Sequence, residues 1–265
     1  MSAKVSGNPV EHAPPRGYVL GMRVDATSLK DATHRALAWS KAGESRYVCV
    51  ANVHMVMEAY DAPDFRRIVN AADLVTPDGM PLVWMLRRLG FPEQERVAGP
   101  DLTLRICEAA SQEGVPVGFY GGTPEVLESL VTNLKRKYPT LKIAYAYSPP
   151  FRPLTPEEDT QVVEEINSSG TRILFVGLGC PKQERWMAAH KGRVQAVMIG
   201  VGAAFDFHAG RLPQAPAWMQ RAGLEWLFRL LTEPRRLWRR YAKHNPRFVI
   251  LALMQLLGLR KFGEA

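Results

Sequence analysis

From about Gly17 onward the chain alternates between two hydrophobic patterns. Short runs rich in Val, Ile, Phe and Tyr recur at RYVCVAN (46–52), DLVT (73–76), VPVGFYG (115–121), KIAYAY (142–147), RILFVGLG (172–179) and AVMIGVG (196–202). Several are apolar at nearly every position, which is the pattern of strands covered on both faces. Between them lie amphipathic stretches near 27–42, 54–70, 79–89, 101–114, 124–137, 156–169 and 181–191. Thr155-Pro156-Glu157-Glu158 reads as a capping box, with Thr155 at N-cap, Pro156 at N1 and Glu158 at N3. Thr123-Pro124 opens a helix in the same way, directly after Gly121-Gly122. Repeated β-α units predict an α/β body over 18–210. It is a Rossmann-like, mostly parallel sheet with right-handed crossovers and helices on both faces.

Both ends of the chain break this pattern. Met1–Gly17 carries Pro9, Pro14 and Pro15 without an apolar period, and is predicted to be a flexible leader. It lacks the apolar core of a secretory signal. Residues 211–265 are predicted to form a basic helical appendage. Pro234 and Pro246 are expected to divide it into three short helices. Its last stretch, Phe248 to Leu259, is almost continuously apolar. As a helix it reaches about 18 Å, against a hydrocarbon core of about 30 Å. It is too short to span. Two readings stay open: a core helix docked on the body, or a helix lying in a membrane interface with Trp218, Trp226, Trp238 and Tyr241 at headgroup level.

Charge sharpens the picture of the tail. The chain has 34 Lys+Arg against 26 Asp+Glu, a net charge of +8. Residues 211–265 hold eleven of the cations and only Glu225, Glu233 and Glu264 as acids, a surplus equal to the whole net charge. Such a segment suits an anionic membrane surface or a nucleic acid. A polynucleotide offers Ile250, Leu251, Leu253 and Leu256 nothing to bury against, which favours the membrane. The 46% hydrophobic and 23% charged content excludes disorder for most of the chain. Cys49, Cys107 and Cys180 stand far apart, so neither a disulfide frame nor a structural zinc cluster of cysteines is expected, and a reducing compartment fits.

Candidate chemistry gathers at strand ends. In TPDGM (76–80), Asp78 falls between a strand and a helix, on the rim where α/β enzymes place ligands. It is either a helix N-cap or a general base. GLGCPKQERW (177–186) lacks the full dinucleotide fingerprint, so an oxidoreductase is disfavoured. Its glycines, with Lys182 and Gln183, offer donors to an anion. GFYGGTPE (118–125) and GVGAAFDF (200–207) add two further glycine-bearing strand ends, and together the three suggest a nucleotide pocket. Asn52 closes the first core strand and Arg96 sits in ERVAGPDL. No Asp-x-Asp metal clamp is present, so positive charge at a leaving diphosphate has to come from arginines.

Taken together, TPDG, ERVAGPDL, GLGCPKQE, GVGAAFDFHAG and GLEWLFRLLTEPRR resemble the WecG/TagA/CpsF family of bacterial glycosyltransferases, over roughly Val19 to Arg247. The resemblance implies an inverting enzyme without cofactor or metal. Its donor is a UDP-sugar (N-acetylmannosamine-like, or a hexose such as glucose) and its acceptor a polyprenyl-diphosphate-linked glycan. It implies work at the cytoplasmic membrane face, no nucleic acid partner, and leaves self-association open. By the same similarity Asp78 matches the catalytic base. Asn52, Arg96, Lys182 and Gln183 are expected at the substrates, and Arg229, Arg236 and Arg239 match tail arginines that contact the diphosphate. Where the family often carries Thr-x-Asn, this chain has Val50-Ala51-Asn52. The alternative from another class is a non-catalytic nucleotide-sugar or nucleic acid binder with a polyanion-binding tail.

Overall fold

All six predicted strands form in the computed structural model, which describes residues 12–262. The chain runs β1 (Arg16–Val19), β2 (Met22–Asp25), α1 (Leu29–Lys41), β3 (Arg46–Ala51), α2 (Val53–Asp61), α3 (Pro63–Asn70), β4 (Leu74–Pro77), α4 (Met80–Arg88) and α5 (Gly99–Glu113). It continues through β5 (Val117–Gly121), α6 (Pro124–Lys137), β6 (Ile143–Tyr147), α7 (Pro156–Ser168), β7 (Ile173–Gly177), α8 (Lys182–His190), β8 (Val197–Gly200) and α9 (Ala204–His208). The C-terminal helices are α10 (Ala217–Arg221), α11 (Glu225–Thr232) and α12 (Pro234–Leu256).

Strands β3 to β8 make one sheet in the order β4-β3-β8-β7-β5-β6, with every neighbouring pair parallel. Side chains alternate across it, as the pleat requires. In β3, Tyr47, Cys49 and Ala51 enter a core with α2, α3 and α4, whereas Val48 and Val50 enter a second core with α1 and α5. The sheet is thus buried on both faces, which is why its strands read as continuous apolar runs. Thr155 and Glu158 form the full capping box at α7, and Thr123 caps α6 through Val126 N–H.

Three features differ from the sequence reading. The predicted helical stretch 54–70 is two helices, because Pro63 has no N–H to continue α2 and instead occupies the first turn of α3. The second concerns the leader. Residues 1–11 lie outside the described residues, while Arg16 and Gly17 already belong to a β-hairpin of β1 and β2. Its turn places Leu20 at φ 52° beside Gly21 at φ 84°. Third, Pro246 does not end a helix. It lies inside α12, which runs 23 residues from Pro234. The exposed proline costs a hydrogen bond to the Ala242 carbonyl. Docking on either side of it compensates: Phe248 is buried and Arg247 pairs with Asp61 at 2.6 Å.

The hairpin is bolted to the sheet by a buried ion pair. Arg23 donates to both carboxylate oxygens of Asp25 (2.7 and 2.6 Å) and to the carbonyls of Asn70 and Ala72, while Asp25 accepts from Val75 N–H. Removing one member strands the other charge in a dry site. Asp25→Ala is therefore expected to destabilise the fold by about 3–5 kcal/mol, read from urea unfolding followed by circular dichroism; a loss under about 1 kcal/mol would show that the hairpin is not held this way.

Candidate active site

Parallel pairing sets the C-terminal ends of β3 and β4 side by side, with Ala51 opposite Pro77. The polar residue after each strand is held there too: Asp78 N–H donates to the Ala51 carbonyl at 2.8 Å. Asn52 is the N-cap of α2, its Oδ1 accepting from Met55 N–H at 3.2 Å. Asp78 is not a cap. Gly79 holds that position on α4, with no side-chain cap bond, so the Asp78 carboxylate is left for other partners.

Its partner is Arg96. The guanidinium donates through Nη2 to Asp78 Oδ1 (3.1 Å) and Glu225 Oε2 (2.6 Å), through Nη1 to Gln220 Oε1 (2.9 Å), and through Nε to the Asp78 carbonyl. Gln220 lies on α10 and Glu225 opens α11, so this one side chain joins the end of β4 to the C-terminal helices. Burial pushes the Asp78 carboxyl up to about 6; Arg96 pulls it down, and Glu225 adds to the upward push.

The joint encloses a cavity of about 790 Å³, within the range of small-molecule sites. Asn52, Asp78, Arg96 and Arg229 supply a polar wall, and Trp84, Met85, Val249, Leu253 and Leu256 an apolar one. The Nε atoms of Arg229 and Arg240, both lining residues, are buried without a hydrogen-bond partner. Native structures rarely leave such donors unpaired, and an anionic ligand would complete them. His54 and His244 line the same cavity, edge-on to each other at 5.2 Å. Burial lowers His54 to about 4, with nearby Arg240 acting in the same direction. Among the described residues, His54, Glu58 and His244 are the group whose donor atoms converge as metal ligands do, within 4.8 Å.

The structure thus brings together four of the eight residues read from the sequence: Asn52, Asp78, Arg96 and Arg229. The other four do not line this cavity. Lys182 is exposed at the start of α8. Gln183 is buried, accepting from Gly179 N–H and donating to Glu184, so it braces its own loop. Arg236 pairs with Glu233 at 2.5 Å, and Arg239 is exposed next to Trp238. The glycine-bearing strand ends also lie outside the cavity, and packing accounts for two of them. A Cβ on Gly121 would meet the Gly177 backbone at 2.6 Å, and one on Gly177 the Phe205 ring at 2.7 Å.

Sequence reasoning missed Gln220, Glu225, Arg240, His54 and His244. Glu225 had a signal: it is one of three acids in a tail of eleven cations.

Residues 18–262 match the glycosyl transferase WecG/TagA/CpsF family. The chain belongs to this family. It is also 32% identical over 233 residues, 87% of each chain, to the N-acetylglucosaminyldiphosphoundecaprenol N-acetyl-beta-D-mannosaminyltransferase of Bacillus spizizenii. The protein is a glycosyltransferase, as the motifs implied, and the cavity holding Asp78 is its candidate active site.

Truncating one member of a desolvated charge pair across an interface costs about 2–5 kcal/mol. In this glycosyltransferase, Arg96→Ala is expected to loosen the C-terminal helices, so that trypsin cuts at Arg211, Arg221 and Arg229 at least about tenfold faster while the body stays intact. Unchanged cleavage rates would show that Arg96 does not hold the tail.

Proposed function

We propose that the enzyme transfers an N-acetylmannosamine-type sugar from its UDP derivative to a polyprenyl-diphosphate-linked N-acetylglucosamine, at the cytoplasmic face of the membrane, in cell-envelope polysaccharide assembly. The observation that carries this reading is the cavity itself. A carboxyl group with a raised pKa and two unpaired guanidinium donors occupy one side, and an apolar wall continuous with the exposed face of α12 the other. The name of the Bacillus spizizenii relative supports the sugar and the acceptor.

The transfer is a single displacement. Asp78 takes the proton of the acceptor hydroxyl, whose oxygen bonds to the anomeric carbon on the face opposite UDP. The bond from that carbon to the phosphate oxygen breaks, and its electron pair leaves with UDP. One displacement inverts the configuration. Arg229 supplies positive charge to the departing diphosphate, with Arg236 and Arg239 reaching it from the tail when substrates are bound, so no metal is needed on the leaving group. Val50 is buried in the core rather than in the cavity, so a donor panel has to include a UDP-hexose beside UDP-N-acetylmannosamine.

A base acts only when deprotonated. The value of kcat/KM is therefore expected to rise with pH and level off above about 6, the Asp78 value. Asp78→Asn is expected to keep UDP binding and to lose about 10²–10⁴ in turnover; near wild-type UDP release by this variant would remove Asp78 as the base.

The tail supports the membrane part of the proposal. Among the described residues no helix is long and apolar enough to cross a bilayer. On α12, Phe248 and Ala252 face the body, whereas Val249, Ile250 and Leu253 are each more than half exposed. Trp84, Trp218 and Trp238 are exposed as well, and Trp84 lines the cavity with Ile250 and Leu253. Burying each aliphatic side chain is worth about 1.5–3 kcal/mol. Replacing Ile250 and Leu253 together by Glu is expected to cut co-sedimentation with anionic vesicles at least about tenfold without unfolding the protein. Equal co-sedimentation would place the membrane contact elsewhere.

A further inference from the structure

We infer that His54, Glu58 and His244 form a site for one transition-metal ion of the zinc class, which clamps α12 onto α2. The three come from two elements. His54 and Glu58 sit one turn apart on α2, and His244 is buried on the facing side of α12. Glu58 Oε1 lies 3.8 Å from His54 Nδ1 and 3.6 Å from His244 Nε2. These separations are too long for hydrogen bonds, which run about 2.7–3.2 Å. They lie close to the roughly 3.3–3.6 Å edge of a tetrahedron whose ligands stand about 2.0–2.2 Å from a metal. Two imidazoles and one carboxylate are a borderline-soft donor set suited to zinc.

One further observation points to a ligand. Nδ1 of His54, the ring nitrogen that faces Glu58, is buried with no hydrogen-bond partner, so it is unsatisfied by the protein alone. Arg247 and Lys243 pair with Asp61, yet both, like Arg240, still act as positive charges on the two imidazoles and so oppose a cation, which weakens the expected affinity. Three protein ligands leave a fourth position open. The ion is a clamp on the tail, separate from the guanidinium charges proposed for the leaving diphosphate.

The test uses the full-length protein, stripped with chelator and titrated with zinc chloride by calorimetry, and with cobalt(II) by visible absorption. The expected result is one saturable ion per chain and a tetrahedral cobalt spectrum. Zinc also raises Tm and slows tryptic cleavage of the tail. Glu58→Gln and His244→Ala each weaken binding at least about tenfold and abolish the zinc effect on cleavage. Glu58→Gln is nearly isosteric and decides the matter if His244→Ala fails to fold. Absence of saturable binding, or binding that both variants leave unchanged, overturns the site.

Discussion

Arg96 carries one positive charge between two carboxylates, Asp78 at the end of a parallel strand and Glu225 at the start of a C-terminal helix. Among the described residues, no other side chain joins the sheet rim to α10 and α11 through so many hydrogen bonds. The arrangement is self-consistent only with the tail docked. Without Glu225 and Gln220, Arg96 loses two of its four hydrogen bonds and Asp78 loses the neighbouring carboxylate that helps to raise its pKa. With them, Asp78 is desolvated beside a second carboxylate, and both effects push its pKa upward. The closed tail is therefore what tunes the Asp78 carboxylate, the proposed base.

The same closure reconciles the two readings of the apolar C-terminal stretch. It is both docked and exposed, on different faces of one helix. Phe248 and Ala252 pack on the body, and Gln255 bridges to the hairpin through Leu20 N–H and the Tyr18 carbonyl. The opposite face presents Ile250 and Leu253 outward, where the cavity opens. The proposed lipid-linked acceptor needs such a passage: its sugar has to meet a polar, partly dry site while its chain stays in an apolar phase. One amphipathic helix offers that passage, and among the described residues no helix is long and apolar enough to cross a bilayer.

Much of this was legible in the sequence because burial on both sheet faces writes itself as continuous apolar runs. Val48 and Val50 fill one core, Tyr47 and Cys49 the other. Asn52 and Asp78 were legible because polar residues that end such runs must lie on the rim. The hairpin was not, since its turn puts an apolar Leu20 at positive φ, where asparagine or glycine is the usual signal. Pro246 misled for a related reason: local chemistry says break, and tertiary docking of α12 overrides it. Arg96 was named from its motif, but its partners were beyond reach. Gln220 and Glu225 lie 124 and 129 residues away; Glu225 stands out as an acid in a basic tail, but nothing local ties either residue to Arg96. Gln183 was read as a donor to ligand, yet its amide is spent on Gly179 and Glu184.

The claim that tail docking tunes Asp78 is tested most directly by the pH dependence of kcat/KM in Glu225→Gln beside wild type. Removing that charge takes away one upward push on Asp78 and leaves Arg96 more fully its own. The acidic limb of the profile is predicted to move to lower pH than in the wild-type enzyme. A limb that stays in place, or moves to higher pH, would contradict the account.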